Sequence, residues 1–333
     1  MKLASESAFS DEELRPWLMQ YGHECGSPRL REAMARFYKE HAGAKHTKAS
    51  EVIMSTGVSS GLQLLGTSLA KAGDYVIVEQ PTYFLARVLF EGIGLKVLKA
   101  PMTDSGSIDF EKLSQAMIGK TVKLLYVVPV HSNPTAKCHS LEDKTKIIEF
   151  AKNHGITILA DEVYELLNFN TRSSTSTSSS TGGKKIGRSP PFREICQDSH
   201  VISVSSFSKI CGPGLRLGWI LASEDMVERV RGNGIFSSGG GMNPIVAAMM
   251  CHALENRSMD KLLVDAVQPS LRKRAMALCD SITLHLEPLG CSFHKPEGGY
   301  FVFFTFEDET VNTSELLGIA MEKFKVKFTP GER

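Results

Sequence analysis

From about residue 50 onward, short apolar runs alternate with longer stretches whose apolar residues recur at helical spacing. Val52-Ile53-Met54, Tyr75–Glu79, Leu95–Leu98, Lys123–Val128, Ile156–Ala160 and Val201–Val204 are the short runs. Nearly all-apolar runs of this length suit strands covered on both faces. Between them the pattern predicts a helix over Val58–Lys71, stopped by Ala72-Gly73-Asp74, and another over Thr82–Glu91, stopped at Gly92. Strands alternating with helices of this length predict an α/β domain with a mainly parallel sheet. After about residue 235 helical patterns dominate: Pro244–Leu254, then Met259–Leu286 with a break or kink expected at Pro269. A strand-like run at Tyr300–Phe306 points to a smaller α+β C-terminal domain.

The segment NTRSSTSTSSSTGG, Asn170 to Gly183, is low-complexity and cannot bury a core, so a disordered surface insertion is expected over about 170–191. The domain reading is therefore an N-terminal segment 1–44, a large domain 45–235 carrying that insertion, and a small, incomplete domain 236–333.

Composition removes whole classes of function. With 38 basic against 37 acidic residues and no basic block, there is no footprint for nucleic acid. No apolar run approaches the ~20 residues of a membrane span, and the N-terminus lacks the apolar core of a secretory signal. The seven cysteines are odd in number and scattered without C-x-x-C pairing, which reads as reduced thiols in a cytoplasmic protein. No metal-ligand spacing is present, and His131 is read as structural.

Ligands of parallel sheets bind beyond the strand carboxyl ends, and the chemically interesting residues follow strands. Lys209 comes just after Val201–Val204 among small hydroxyl residues, Ser206-Phe207-Ser208-Lys209, where desolvation frees an amine as a nucleophile. Seven positions on, Arg216 can return as a bidentate phosphate clamp, with Ser206 and Ser208 as further donors. Asp161 ends an apolar strand, where a carboxylate can pair with a protonated pyridine nitrogen. Tyr164 and Asn133, the latter held extended before Pro134, can reach the ring's 3′-oxygen. Gly57, Val58 and Ser59 open a helix whose N–H groups suit phosphate. Tyr83, in Pro81-Thr82-Tyr83, can stack on a ring.

The ordered set of glycine turn, Pro-Thr-Tyr, Asn-Pro-Thr, Asp-Glu-x-Tyr, then Ser-x-Ser-Lys and Arg, resembles the class I/II aminotransferases. These are fold-type I pyridoxal 5′-phosphate enzymes, and the 2-aminoadipate/kynurenine-type branch is nearest. The resemblance runs from Tyr21-Gly22 to Pro330-Gly331. It implies a three-layer αβα large domain with a smaller α+β domain, and Lys209 as the Schiff-base lysine and proton shuttle. It also implies Asp161 on the pyridine nitrogen, Asn133 and Tyr164 on the 3′-oxygen, and Ser206, Ser208, Arg216 and the Gly57–Ser59 turn on phosphate. Tyr83 becomes the stacking ring, and Tyr21 the tyrosine that reaches the neighbouring subunit's phosphate in a homodimer. Three departures stand out. Val58 sits where relatives often have Ser, and Ala136 replaces the usual Gly. The arginine that holds the substrate carboxylate in relatives lies a few tens of residues past a Pro-Gly like Pro330-Gly331. The implied function is transfer of an amino group from an amino acid to a 2-oxo acid. A lyase on the same scaffold and a cofactor-binding regulatory domain are the alternatives.

Overall fold

The computed structural model describes residues 2–103, 105–169, 189–239 and 241–331. Helices α1 (Lys2–Ser10) and α2 (Pro28–Ala42) precede the sheet. The large domain then runs β1 (Val52–Ser55), α3 (Val58–Leu69), β2 (Tyr75–Val78), α4 (Phe84–Gly92), β3 (Lys96–Lys99), α5 (Phe110–Met117) and β4 (Val122–Val127). It continues with α6 (Leu141–His154), β5 (Thr157–Asp161), α7 (Phe192–Ile195), β6 (Val201–Ser206), β7 (Gly218–Leu221) and α8 (Glu224–Arg231). The rest comprises α9 (Gly234–Ser237), α10 (Pro244–Glu255), α11 (Ser258–Lys261), α12 (Gln268–His285), β8 (Cys291–Phe293), β9 (Phe304–Phe306) and α13 (Thr313–Ile319).

Helix boundaries follow capping chemistry. Ser27 accepts the Leu30 N–H ahead of Pro28 and Gly43 closes α2 in the left-handed conformation. Ser140 and Asp143 form a capping box at α6. The seven-stranded sheet has the order β1-β7-β6-β5-β4-β2-β3. Only β7 runs against its neighbours, pairing antiparallel with both β1 and β6. The remaining adjacent pairs are parallel, so the carboxyl ends of β1 to β6 share one edge. Both sheet faces are covered, as the buried strands require.

Four outcomes differ from the sequence pattern. Of the break or kink expected at Pro269, the break does not occur; a π-helical turn over Leu262–Val267 runs directly into α12 and accommodates the missing N–H. Of Tyr300–Phe306, only Phe304–Phe306 pairs in a strand, with Cys291–Phe293, because Tyr300 turns toward the large domain. The expected insertion falls on residues outside those described up to 188. Its last part is packed instead: Pro191 is buried, and Pro190 accepts a hydrogen bond from Lys144 Nζ at 2.7 Å. Finally, α10 shares its core with α2 and β1 and is tied to α2 by the Arg29–Glu255 ion pair at 2.6 Å, so a core common to the large domain extends past residue 235.

Candidate active site

The predicted residues other than Tyr21 lie at or just past the carboxyl ends of β1, β2, β4, β5 and β6, on the common edge of the sheet. Asp161 is the last residue of β5 and only 3% exposed. Its carboxylate accepts from Tyr126 Oη at 2.8 Å and from the Val163 N–H at 3.3 Å. Burial pushes its pKa up to about 6, while these neutral donors and the Lys209 charge pull the other way. The carboxylate is thus held dry, with neutral donors as its hydrogen-bond partners.

Tyr164, three residues on, is buried, and both that burial and the Asp161 charge raise its pKa. The Asn133 side chain hydrogen-bonds it, which joins the loops after β4 and β5. Tyr83 precedes α4 and is half-buried; burial and then the Asp161 charge raise its pKa, and the Ser59 hydroxyl hydrogen-bonds it. That contact places the first turn of α3 beside the tyrosine.

Lys209 ends a short 3-10 turn that follows β6, over buried Phe207, whose ring lies 4.9 Å from Trp219. Its Nζ lies 5.7 Å from the centre of the Tyr300 ring, and Tyr300 Oη donates to its backbone carbonyl at 2.8 Å. Arg216 adopts a left-handed backbone, φ 48°. Its Nη2 donates to the Thr56 carbonyl at 2.9 Å and Nη1 to the Pro213 carbonyl at 3.2 Å. A side chain at Gly57 would stand 3.0 Å from that guanidinium, so the glycine lets Arg216 lie on the turn that opens α3. Val58 and Ser59 supply the first N–H groups of the helix, a polarised anion site.

Two predicted residues are placed differently from the rest. Ser206 is 2% exposed, accepts the Ser208 N–H at 3.0 Å and turns its hydroxyl to the Leu217 carbonyl at 3.0 Å and to Ser208 Oγ at 2.8 Å. Tyr21 is 78% exposed, with its ring against Gly239, and it stands apart from the Asp161–Lys209 cluster within this chain. His131, read as structural, is buried and bonded to Asn168.

Two positions, Tyr126 and Tyr300, carry weight that the motifs did not reveal. Tyr126 was hidden in an apolar strand, where a phenolic hydroxyl at a sheet centre is the only signal. The sequence pattern places Tyr300 in a strand. Gly218 starts β7 opposite both Ser55 and Ser206. A Cβ there would meet the Ser205 carbonyl at 2.6 Å and Gly57 Cα at 2.9 Å, so only glycine lets the α3 turn reach the Lys209 strand.

One edge of the sheet therefore offers a guanidinium with helix N–H groups and Ser208 for an anion, a buried carboxylate facing a site that also holds an amine, and tyrosines around both. The family profile described as aminotransferase class I and II matches residues 7–333. An aromatic amino acid aminotransferase of Schizosaccharomyces pombe is 28% identical in an alignment that covers 86% of this chain and 63% of that protein. Aromatic-amino-acid aminotransferase 1 of Thermococcus litoralis is 27% identical in an alignment that covers 94% of this chain and 71% of that protein. The solved structure of a multiple substrate aminotransferase from Thermococcus profundus superposes with a TM-score of 0.83 at 25% identity, over 99% of this chain and 77% of that one. The chain thus spans less than two thirds of the first relative's length and about three quarters of the solved structure's. In its α/β fold and in the profile that covers it almost end to end, the chain belongs to the class I and II aminotransferase family.

Proposed function

We propose that this protein is a pyridoxal 5′-phosphate-dependent aminotransferase that moves an amino group from an amino acid to a 2-oxo acid. The observation that carries the reading is Asp161, a buried carboxylate at the end of β5 with its pKa raised to about 6, within the field of the Lys209 amine that follows the adjacent parallel strand β6. Such a group gains most from a cationic N–H, which a protonated pyridine nitrogen presents. The other donors fit the rest of that cofactor. Arg216, the first N–H groups of α3 and Ser208 suit a phosphate dianion. The Asn133–Tyr164 pair suits the 3′-oxygen, Tyr83 a ring face, and Lys209 an aldehyde carbon.

When bound, the cofactor supplies an electron sink for the substrate's α-carbon. Asp161, ionised once it has a cationic partner, keeps the proton on the ring nitrogen. Lys209 would hold the aldehyde carbon of the bound cofactor, and its amine, once freed, would be the base placed to take the substrate's α-proton. The same amine would give the proton back, a general acid–base role. Tyr300 anchors the lysine through its carbonyl and bounds the space over its amine.

A homodimer belongs to the same reading. Large apolar side chains are exposed in the N-terminal segment (Trp17 45%, Met19 78%, Tyr21 78%) and on α4 (Phe84 44%, Leu85 41%, Val88 52%). A second copy of the chain is the occupant proposed for them, with Tyr21 turned to its partner's phosphate site. Amino acids, aromatic ones first given the names of the relatives, are the substrates to test. Seven free cysteines suit a cytoplasmic setting; among the described residues no helix is long and apolar enough to cross a membrane.

The test is borohydride reduction of the cofactor-loaded protein followed by peptide mass spectrometry, with amino acids added singly beforehand. A pyridoxyl adduct on Lys209, lost when an amino donor converts the cofactor and yields a 2-oxo acid, is the expected result. An adduct that persists in Lys209→Ala defeats the assignment, and ammonia release with pyruvate points to a lyase.

A further inference from the structure

Of the seven cysteines, five are buried, Cys211 is half-buried and Cys138 is exposed. Cys138 lies in the loop between β4 and α6, five residues past Asn133. Its Sγ is 3.4 Å from His131 Nδ1 and accepts the His131 backbone N–H at 3.3 Å. The other ring nitrogen, Nε2, faces Asn168 Oδ1 at 3.0 Å. The Asn168 amide is itself oriented, because its Nδ2 donates to the Glu165 carbonyl at 3.0 Å. A carbonyl oxygen only accepts, so Nε2 carries the imidazole proton and Nδ1 turns a lone pair to the thiol. His131 is 2% exposed and held in a left-handed backbone, φ 47°. Its ring lies against Gly298 and Gly299, where added side chains would collide with it. A nucleophile, a base and a group that orients the base are therefore in hydrogen-bond reach of one another. Among the described residues, the titratable groups on the segments that carry these three side chains and on the Gly298 turn are Lys137, His139, Glu165 and Glu297; His139 is engaged by Glu79 at 2.6 Å.

We propose that Cys138 is a nucleophilic thiol activated by His131, a site of covalent modification for soft electrophiles, with hydrogen peroxide as the small oxidant it takes. The thiol proton passes to His131 Nδ1 and the sulfur attacks one peroxide oxygen. The S–O bond forms as the O–O bond breaks, and the departing hydroxide takes up the proton as water. Sulfur loses two electrons, peroxide gains them, and the product is a sulfenic acid. None of these three side chains has a part in the transamination chemistry above. The consequence for the site does rest on that reading. Cys138 sits on the turn closed by Ser132 N–H to the Lys137 carbonyl at 2.9 Å and Ala136 N–H to the Ser132 carbonyl at 2.7 Å, which carries Asn133. An added oxygen displaces the sulfur from His131 and loosens that turn.

The measurement is iodoacetamide labelling at limiting reagent, read cysteine by cysteine by mass spectrometry, on the cofactor-loaded protein and on the same chain in urea. Cys138 should react at least tenfold faster at pH 7 in the folded protein than in urea. Cys211, whose thiol burial pushes up to about 11, should react more slowly than in urea. His131→Asn, a residue that accepts the left-handed backbone, should return Cys138 to its urea rate and leave Cys211 unchanged. Equal rates for Cys138 in the folded and unfolded chain, or no response to the His131 substitution, overturn the proposal. If that variant does not fold, the wild-type rate against pH decides. A plateau reached below pH 7 supports the activated thiol, and a rise through ~8.5, the free-thiol value, overturns it. Cofactor retention after peroxide is compared between wild type and Cys138→Ser. A fast thiol with unchanged retention sustains the nucleophile and removes only its link to Asn133.

Discussion

Asp161 and Glu162 are adjacent, both buried, and opposite in circumstance. Glu162 is 0% exposed and accepts from Tyr38 Oη at 3.0 Å and from the Phe192 N–H at 2.7 Å. It fastens α2 and the start of α7 to the end of β5. Asp161 has neutral donors, a raised pKa, and a site holding an amine in front of it. Successive residues at a strand end face opposite ways, so one carboxylate is satisfied by the scaffold while the other is held ready for a ligand. Burial with neutral donors, which both acids have, does not mark a functional acid; the Lys209 amine before Asp161 and the helices fastened by Glu162 separate the two.

The largest effect expected on the ligand side is that of Lys209→Ala, which should lower turnover at least ~1,000-fold, within the range of a lost acid–base group. Its melting temperature should stay close to wild type. Next come the two carboxylates themselves. Asp161→Asn should cost roughly 100- to 1,000-fold in kcat, as loss of one preorganised charge does, without loss of stability in the cofactor-free protein. Glu162→Gln should do the reverse, about 2 kcal/mol of stability with kcat changed less than about threefold. Denaturant unfolding and steady-state rates on the two variants settle the contrast, and equal stability losses would erase it. The pH dependence separates them further. A carboxyl whose folded pKa is raised binds its proton more tightly folded than unfolded, so it makes stability fall as pH climbs from ~4 to about 6. That fall should vanish in Asp161→Asn and persist in Glu162→Gln.

A third buried carboxylate, Glu79, lies on the same edge and follows the Glu162 pattern. It ends the run of β2, takes the Val128 N–H at 3.0 Å and pairs with His139 at 2.6 Å. It thereby ties the loop carrying Tyr83 to the loop carrying Asn133. Burial works against a charged His139, but the Glu79 carboxylate outweighs it and raises the pKa. A group raised in the folded state stabilises fully below its unfolded pKa, ~6.5, and loses that contribution as pH rises through the folded value. Glu79→Gln should cost about 1.5 kcal/mol near pH 6 and progressively less in alkaline buffer. A cost that is flat with pH would mean that the pair is not ionised.

The strands were legible because each is an apolar run closed by a turn, and the site loops were legible because they follow those runs. β7, Gly218–Leu221, is not among the predicted strands, although its burial is complete. Pro269 misled because a proline's missing N–H forces a local change but does not choose between a break and a π-turn. Tyr126 and Tyr300 join the site through tertiary geometry alone. Nothing in Leu124–Val127 says that one hydroxyl will meet the carboxylate one strand away.

The smallest predicted effect concerns two serines two residues apart. The motif gives Ser206 and Ser208 the same task, yet the structure turns Ser206 inward to the Leu217 carbonyl and leaves Ser208 half-buried at the mouth of the turn. Ser206 Oγ also accepts the Ser208 N–H, so it shapes the 3-10 turn that presents Lys209. Ser206→Ala should therefore cost about 1 kcal/mol of stability, the size of a lost buried hydrogen bond, with cofactor affinity changed less than about threefold. Ser208→Ala should leave stability within about 0.5 kcal/mol and weaken cofactor binding roughly tenfold, as loss of one hydrogen bond to a charged group does. Equilibrium dialysis against the cofactor and urea unfolding give both numbers for each variant. If Ser206→Ala loses the cofactor while keeping its stability, its hydroxyl swings out to the phosphate on binding, and Ser206 shares the ligand-facing role of Asp161 instead of the scaffold role of Glu162.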